Sequence, residues 1–447
     1  MTSRRAGTAG AVNAYSPLSE LTTPADFQSY LERSGIEIPF DAVVEVGEGA
    51  PLASGVSAGD LEIGNRWAIL PLEGWDSELD GRPTEKSIAR WAAFGRSGVK
   101  TIWGESAAVR PEGRSTPSQL LVSEHTVDGL RRLREAAGNA HADVFDGADD
   151  LKVGIQVTHS GRFSRPAPSG EAAPVTVRHH PYLDEKLGVP PEAPLMSDDQ
   201  LHGLIEDYVA AAKILDQAGF DFVDLKACHG YLGHELLGAF DRPGEFGGSY
   251  ENRTRFLKTV ATRVKTNTPN LKLALRLSAF DTVVHTAGDG GVGAPITADR
   301  YRFWFGTDES GHEIDLTEPI LLLTDLREIG VDLICVTGSS PHNSWHYQRP
   351  ALISKPGEYT TPEDPLVGVA RHIRVTSELR AAVPGIVTVG SGYSYLQQWL
   401  PNVAQAAVRR GMTDIVGVAR MHLAYPGLIS DSLTGRPLDL AAIGAAF

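Results

Sequence analysis

The sequence predicts a (β/α)₈ TIM barrel with long insertions in its βα loops and an N-terminal extension, on three observations. From residue 66 onward, eight short β-rich runs alternate with amphipathic stretches, the pattern of parallel βαβ units. A doubly wound sheet satisfies the same alternation, but eight consecutive units over about 370 residues suit a closed barrel, which commonly runs ~250 residues before insertions. The surplus length lies in loops that follow strands, where barrel enzymes carry their binding segments.

The first run is Arg66 to Pro71, followed by a helical stretch at 85–95; the second is Val99 to Gly104, with a helix at 124–138 opened by the cap-like Ser123. The third, Leu151 to Val157, leads through a Pro-rich insertion (162–196) to a helix at 198–218 behind Ser197. Ser is a favoured N-cap because its hydroxyl accepts from a free amide of the first turn. The fourth run is Phe220 to Leu225 with a helix at 251–265, and the fifth is Leu271 to Leu277 with the insertion 279–317 and a helix at 318–329. The sixth, Val331 to Val336, precedes the insertion 339–362 and a helix at 364–380; the seventh and eighth, Ile386 to Val389 and Asp414 to Val418, precede helices at 394–410 and 422–434. Long loops of this kind serve as lids or binding loops, or are plain surface insertions. Residues 1–64 are expected to pack on a barrel that spans 65–447.

Composition excludes several classes. With 42% hydrophobic and 22% charged residues the chain is neither disordered nor fibrous. Lys and Arg number 41 against 56 Asp and Glu, a net charge of -15, which argues against nucleic acid or an anionic membrane as the main partner. Two cysteines, Cys228 and Cys335, are too few for a disulfide framework or a cysteine-ligated cluster. No apolar run approaches the ~18 residues of a membrane span. A cytoplasmic enzyme of small molecules is expected, and a homo-oligomer stays open.

In a barrel, chemistry collects at the C-terminal ends of the strands. The fourth run ends in Asp224-Leu-Lys226-Ala-Cys-His229-Gly230-Tyr231. Here Tyr231 could donate a proton, Lys226 and His229 could hold an anionic oxygen, and Gly230 would permit the tight turn. The alternative is structural, with Lys226 paired to a buried carboxylate and His229 bonded within the turn. The seventh and eighth runs end in Gly390-Ser391-Gly392 and Gly417-Val-Ala419-Arg420, small residues whose amides can approach a phosphate and an arginine that can close on it. Arg276 interrupts the apolar fifth run and needs an anionic or strongly accepting partner. Gln156 in the third is either a hydrogen-bonding partner of a planar heterocycle or a satisfied core amide.

Together these residues describe a site for a phosphate-bearing cofactor with polar ring edges, and the sequence resembles the Old Yellow Enzyme family of FMN-dependent oxidoreductases over residues 62–440. The carriers include Ile63-Gly64-Asn65-Arg66 leading to Pro71, Trp103-Gly104-Glu105-Ser106, and Arg110-Pro-Glu-Gly-Arg114. They continue with Gln156 and His159-Ser-Gly-Arg162, His229-Gly-Tyr-Leu232, Phe246-Gly-Gly-Ser249, Glu251-Asn-Arg253, Arg276-Leu-Ser278 and the two glycine turns with Arg420. The resemblance implies bound FMN across the barrel mouth, NADPH or NADH as reductant, hydride transfer from flavin N5 to an activated C=C bond, and Tyr231 as proton donor. It implies that Pro71 and Leu72 line the flavin, that Ser106 belongs to the same cofactor site, and that Gln156 and Arg276 contact its polar edge. Ser391, Gly392, Ala419 and Arg420 would hold its phosphate.

Two positions depart from the family. Lys226 stands where the family usually has the first member of a His/His or His/Asn pair that grips the substrate oxygen, with His229 as the second. An ammonium favours an anionic or phenolic oxygen over the neutral carbonyl of an enone. Glu73 stands where the family typically has threonine or cysteine beside the flavin C4 carbonyl, and a carboxylate there disfavours a reduced anionic flavin unless it is protonated or paired with Lys226. Catalytic candidates are therefore Tyr231, His229, Lys226 and Glu73. The reverse reaction, desaturation with oxygen or another acceptor, is the nearest alternative. A Schiff-base lyase on Lys226 and a metal hydrolase using His229 and His234, or His179 and His180, are more distant ones.

Overall fold

The computed structural model describes residues 15–296, 304–352 and 357–445. Eight parallel strands form the barrel: β1 Trp67–Ile69, β2 Thr101–Ile102 resuming at Ser106–Ala108, β3 Lys152–Thr158, β4 Phe222–Ala227, β5 Lys272–Ser278, β6 Val331–Thr337, β7 Val387–Gly390 and β8 Ile415–Val418. Each pairs with the next, and β8 returns to β1 through Val416 opposite Trp67, so the sheet closes. The break in β2 falls at Gly104 (φ 72°), where a Cβ would stand 2.3 Å from the Gly154 carbonyl oxygen. Only glycine allows β2 and β3 to approach that closely.

The barrel interior is layered. Its lower layers are apolar, with Ala68, Trp103, Phe222, Ala274, Leu333, Val387 and Ile415 in one buried cluster. A two-stranded hairpin, Val56–Ala58 with Leu61–Ile63, adds Ala58, Leu61 and Ile63 to the same cluster. Contacts of this hairpin and the residue after it with Asp150, Lys272 and Asp332, within two residues of the starts of β3, β5 and β6, place it at the floor of the barrel. Fully burying a side chain of Leu or Phe size stabilises by roughly 1.5–3 kcal/mol, so the sealed floor is a substantial part of the core. Above it the inward positions turn polar: Gln156 lies opposite Asp224, and Lys226 opposite Arg276. The apolar floor and polar mouth follow from the period of two along each strand.

Eight helical segments cover the outside: α1 Glu85–Arg96, α2 Val127–Ala142, α3 Asp198–Gln217, α4 Tyr250–Asn267, α5 Thr317–Ile329, α6 Pro365–Ala382, α7 Leu400–Arg409 and α8 Leu428–Thr434. Ser197 caps α3 in a full capping box with Gln200. Ser123 does not cap α2: Thr126 precedes the helix, and its hydroxyl is engaged in the turn, accepting from the Ser123 amide at 3.0 Å and donating to the Leu121 carbonyl. The stretch 394–410 divides into a 3₁₀ segment, Tyr393–Trp399, and α7, with a break at Gln397 (φ 53°). The stretch 422–434 divides into a short helix Arg420–Ala424 and α8. Pro426 separates them, since proline lacks an amide hydrogen and moves the preceding residue out of helical conformation.

The insertions lie at the C-terminal ends of their strands and carry local structure: a helix Pro181–Leu187 after β3, a hairpin His285–Ala287 with Gly293–Pro295 after β5, and a helical turn Trp345–Gln348 after β6. Residues 297–303 and 353–356 of the predicted insertions, and 1–14 of the extension, lie outside the described residues. In the described part of the extension, the helix Pro24–Ser34 sets Phe27 against Trp399 at 5.4 Å and Phe40 at 5.0 Å.

Candidate active site

Two groups of side chains meet at the C-terminal mouth, and they differ in how their charge is balanced. The first is built around β4. Lys226, buried on its inner face, directs Nζ to Glu73 Oε1 at 3.1 Å and to Ser106 Oγ at 3.2 Å, with the Tyr231 ring centroid 3.7 Å away. Glu73 comes from the loop after β1, and its other oxygen accepts from Ser115 Oγ at 2.8 Å and from the Trp75 indole at 3.0 Å. Burial works to raise the Glu73 carboxyl, but the Lys226 charge and the hydrogen bonds from Trp75, Ser115 and Lys226 outweigh it and hold the group below the usual carboxylate range. Glu73 is therefore a paired carboxylate.

Tyr231 opens the short helix Leu232–Leu237 behind a turn in which His229 (φ 63°) and Gly230 (φ 77°) are both left-handed. Burial and then the Glu73 charge push the Tyr231 phenol well above its ordinary value, with Ser115 and Ser160 pulling the other way. A phenol so placed keeps its proton until a stronger base forms next to it. Burial, and then the positive charges of Arg276 and Lys226, press the His229 imidazole well below its ordinary value, so it stands neutral.

Beneath this group, Gln156 Nε2 donates to Asp224 Oδ2 at 2.5 Å, and both side chains are buried. One N–H of the amide expected at a heterocycle edge is thus engaged inside the barrel. Burial pushes the Asp224 carboxyl up to about 6, offset in part by Trp103 and Gln156 and by the charges of Arg276 and Lys226.

The second group lines a cavity of about 390 Å³ between the ends of β5 to β8, within the size range of small-molecule sites. Arg276, Ser391, Gly392, Ala419 and Arg420 all face it, joined by Gln348 and Arg349 from the insertion after β6. Gly417 lies on its wall, where a Cβ would stand 2.4 Å from Leu70. Among the described residues, no carboxylate stands within ion-pair distance of Arg276, Arg349 or Arg420, although the Glu358 charge acts on Arg349 from farther away. Arg276 Nε is buried without a hydrogen-bond partner. Burial and then the neighbouring Arg349 charge lower the Arg420 guanidinium to about 10. Arg276 is buried, Arg349 half-buried and Arg420 exposed at the rim, and three cations converging on one cavity with no carboxylate in contact mark a place suited to an anion.

Of the predicted residues, Glu73, Ser106, Lys226 and Tyr231 meet in the first group and Arg276, Ser391, Gly392, Ala419 and Arg420 in the second. Ser391 lines the cavity, and its Oγ donates to the Val336 carbonyl at 2.6 Å. Pro71 and Leu72 are outside the cavity lining, on the loop that carries Glu73; the Leu72 amide donates to the Gly104 carbonyl at 3.3 Å. Trp75 is 61% exposed, while Trp67, Trp103, Trp304 and Trp345 are buried. Arg349, Gln348 and Ser115 were not singled out in the sequence. The one available signal was that Arg349 belongs to an insertion after a barrel strand. Among the described residues no group of three or more His, Cys, Asp or Glu is placed to hold a metal ion, and His179, one of the hydrolase candidates, bonds Asp184 at 2.9 Å.

Residues 54–296 match the family model described as the NADH:flavin oxidoreductase / NADH oxidase family. An NADPH dehydrogenase of Bacillus subtilis is 27% identical over 373 residues, covering 82% of this chain and 89% of the relative. That of Bacillus cytotoxicus is 30% identical over 336 residues, covering 74% and 80%. Among solved structures, the Old Yellow Enzyme of a Pichia species superposes with a TM-score of 0.63 at 17% identity, covering 90% of each chain. An Old Yellow Enzyme homologue from Zymomonas mobilis superposes with a TM-score of 0.59 at 20% identity, covering 87% of this chain and 94% of that one.

Proposed function

The chain belongs to the NADH:flavin oxidoreductase / NADH oxidase family, and on that footing we propose that it is an FMN-dependent oxidoreductase that reduces an activated C=C bond, with NADPH or NADH as reductant and Tyr231 as proton donor. The observation that carries the reading is the set of three arginines without a carboxylate partner, Arg276, Arg349 and Arg420, around one cavity at the strand ends. They fit FMN in kind: Arg349 and Arg420, with the backbone at Ser391, Gly392 and Ala419, would hold a phosphate, and Arg276 would face the polar edge of the ring system. When bound, FMN supplies a hydride carrier, chemistry that no side chain here possesses.

The rest of the reaction falls to the protein. Tyr231 keeps its phenolic proton near neutral pH and can release it from Oη to a carbanionic carbon of the substrate. Lys226 reads differently from the expectation of an anion-seeking cation. Its ammonium is balanced by Glu73 and occupied by Ser106 and the Tyr231 ring, so the substrate half of the mouth is close to electrically neutral. A neutral carbonyl-bearing alkene such as an enone suits it better than a carboxylate.

The test is the visible spectrum of the purified protein, mass analysis of what heat releases, and anaerobic titration with NADPH and NADH. Bands near ~370 and ~450 nm, released FMN and bleaching by a nicotinamide are expected. A protein that stays colourless after reconstitution overturns the cofactor reading. A yellow protein that neither nicotinamide bleaches overturns the reductive direction and favours desaturation.

A further inference from the structure

Two side chains were expected to grip the substrate oxygen, and only one has a hydrogen to give. The three N–H bonds of Lys226 are directed to Glu73, Ser106 and the face of Tyr231. His229 is held from several sides. Its backbone takes up a left-handed conformation (φ 63°), uncommon for a residue other than glycine. Its amide donates to Ser278 Oγ at 3.1 Å, and its carbonyl accepts from Ser340 Oγ at 3.0 Å. The next amide, that of Gly230, donates to His234 Nδ1 at 2.9 Å. The ends of β5 and β6 therefore fix the direction in which the imidazole leaves the chain.

The last contact is to the ring. Gln348 Nε2 lies 3.2 Å from His229 Nε2. An amide nitrogen can only donate, so the ring nitrogen it meets must be the unprotonated acceptor, and a neutral imidazole then carries its proton on Nδ1. Among the described residues His229 Nδ1 makes no hydrogen bond. The charges facing the ring, Arg276 from β5 and Lys226 from β4, together with burial, act against a second proton.

We propose that Gln348 sets the tautomer of His229, so that the imidazole offers Nδ1–H as the neutral donor to the substrate oxygen. Gln348 is a positioning residue in this scheme, acting through His229, and the inference rests on the oxidoreductase reading above. Because Gln348 and Arg349 are consecutive, the segment that reaches the anion cavity also orients the substrate-binding imidazole. A side chain of the β6 insertion would then tune the site for carbonyl acceptors.

The test is ¹⁵N-histidine NMR of the flavin-loaded enzyme, with the His229 signals assigned by loss in His229→Gln. The expected result is a protonated Nδ1 and an unprotonated Nε2, and in Gln348→Glu, whose carboxylate can only accept, a proton moved to Nε2. With 2-cyclohexen-1-one as the probe, Gln348→Leu is expected to lower kcat/KM by about tenfold, the worth of one misdirected hydrogen bond, mainly through KM. A proton on Nε2, or an imidazolium, at His229 of the unmodified enzyme overturns the inference even if no Gln348 variant folds. So does an unchanged kcat/KM in Gln348→Leu. A protein that binds no flavin defeats the oxidoreductase reading instead, and the tautomer can be read from it independently.

Discussion

Replacing Asp224 by Asn is predicted to abolish one specific component of the pH dependence of stability. Asp224 is fully buried, hydrogen-bonded to Gln156, and its carboxyl is pushed up to about 6 from an ordinary 3.8. For an acid with a raised folded-state value, the unfolded chain gives up its proton first, so ionisation opposes folding and the cost grows as pH rises from about 4 to beyond 6. At 1.36 kcal/mol per unit the cost is about 3 kcal/mol at pH 7 and about 1.6 kcal/mol at pH 5. The amide has nearly the shape of the acid and no charge to bury. Urea unfolding of both proteins from pH 5 to 7 is the assay, with each midpoint converted by the slope of its own curve. The difference in unfolding free energy, variant minus parent, should rise by about 1.3 kcal/mol across that interval. Parallel curves would refute the reasoning, and would mean that the carboxyl is ionised throughout because Arg276 and Lys226 compensate it more fully than its burial allows.

Other outcomes follow from the same geometry. Arg349→Ala and Arg420→Ala should each weaken FMN binding to the apoprotein by roughly 10- to 100-fold, the worth of a charge-assisted hydrogen bond of about 1.5–3 kcal/mol, while riboflavin, lacking the phosphate, is affected far less; isothermal titration or fluorescence quenching measures both. Tyr231→Phe should slow enone reduction by about 10²- to 10⁴-fold and leave the bleaching of enzyme-bound flavin by nicotinamide within a small factor, as stopped-flow absorbance can separate. Glu73→Gln breaks a buried ion pair and is expected to destabilise by about 3 kcal/mol. Because the Glu73 carboxyl is lowered in the folded state, its contribution is present above the ordinary carboxylate range and lost as pH falls through the lowered value, so the gap between parent and variant should close in acid, read from urea midpoints.

The barrel could be read from the sequence because its signals are local. Each strand is a β-rich run ending at a turn, and the eight runs fall on the eight observed strands within a few residues. Where the reading of elements slipped, the cause was also local: Pro426 divides the last helical stretch and was visible, whereas the diversion of Thr126 into the turn before α2 depends on the Leu121 carbonyl that it meets. Site residues at strand ends were legible for the same reason, since barrel topology assigns them a location. What could not be read was pairing. Arg162 and Arg276 are both buried arginines in segments the sequence places at the mouth of the barrel. One is bound by Glu235 and Asp184, the other by no carboxylate, and the difference lies in residues distant in the chain. Arg349 was overlooked because nothing in its own segment reveals a neighbour like Arg420.

That same distinction decides how the mouth of the barrel divides its work. A cation whose counter-charge is built into the fold has little electrostatic reason to recruit an anion, since binding one would first have to displace a carboxylate already in contact. Lys226, matched by Glu73 at 3.1 Å, is such a cation, so it shapes the field around Tyr231 and does not draw in a charged substrate. Arg349 and Arg420 have no carboxylate in contact and repel each other, and a bound anion would relieve them. On the proposed reading the site is electrically segregated: a phosphate would bind at the ends of β7 and β8, and a neutral group would be preferred at the end of β4. Exchanging Glu73 for Gln should, on this argument, convert the substrate half into an anion site. Carboxylate or phenolate ligands should then bind the variant more tightly than the parent by at least tenfold at low salt, as a spectral titration of the flavin would report. Equal affinities would show that Glu73 does not cancel the charge of Lys226.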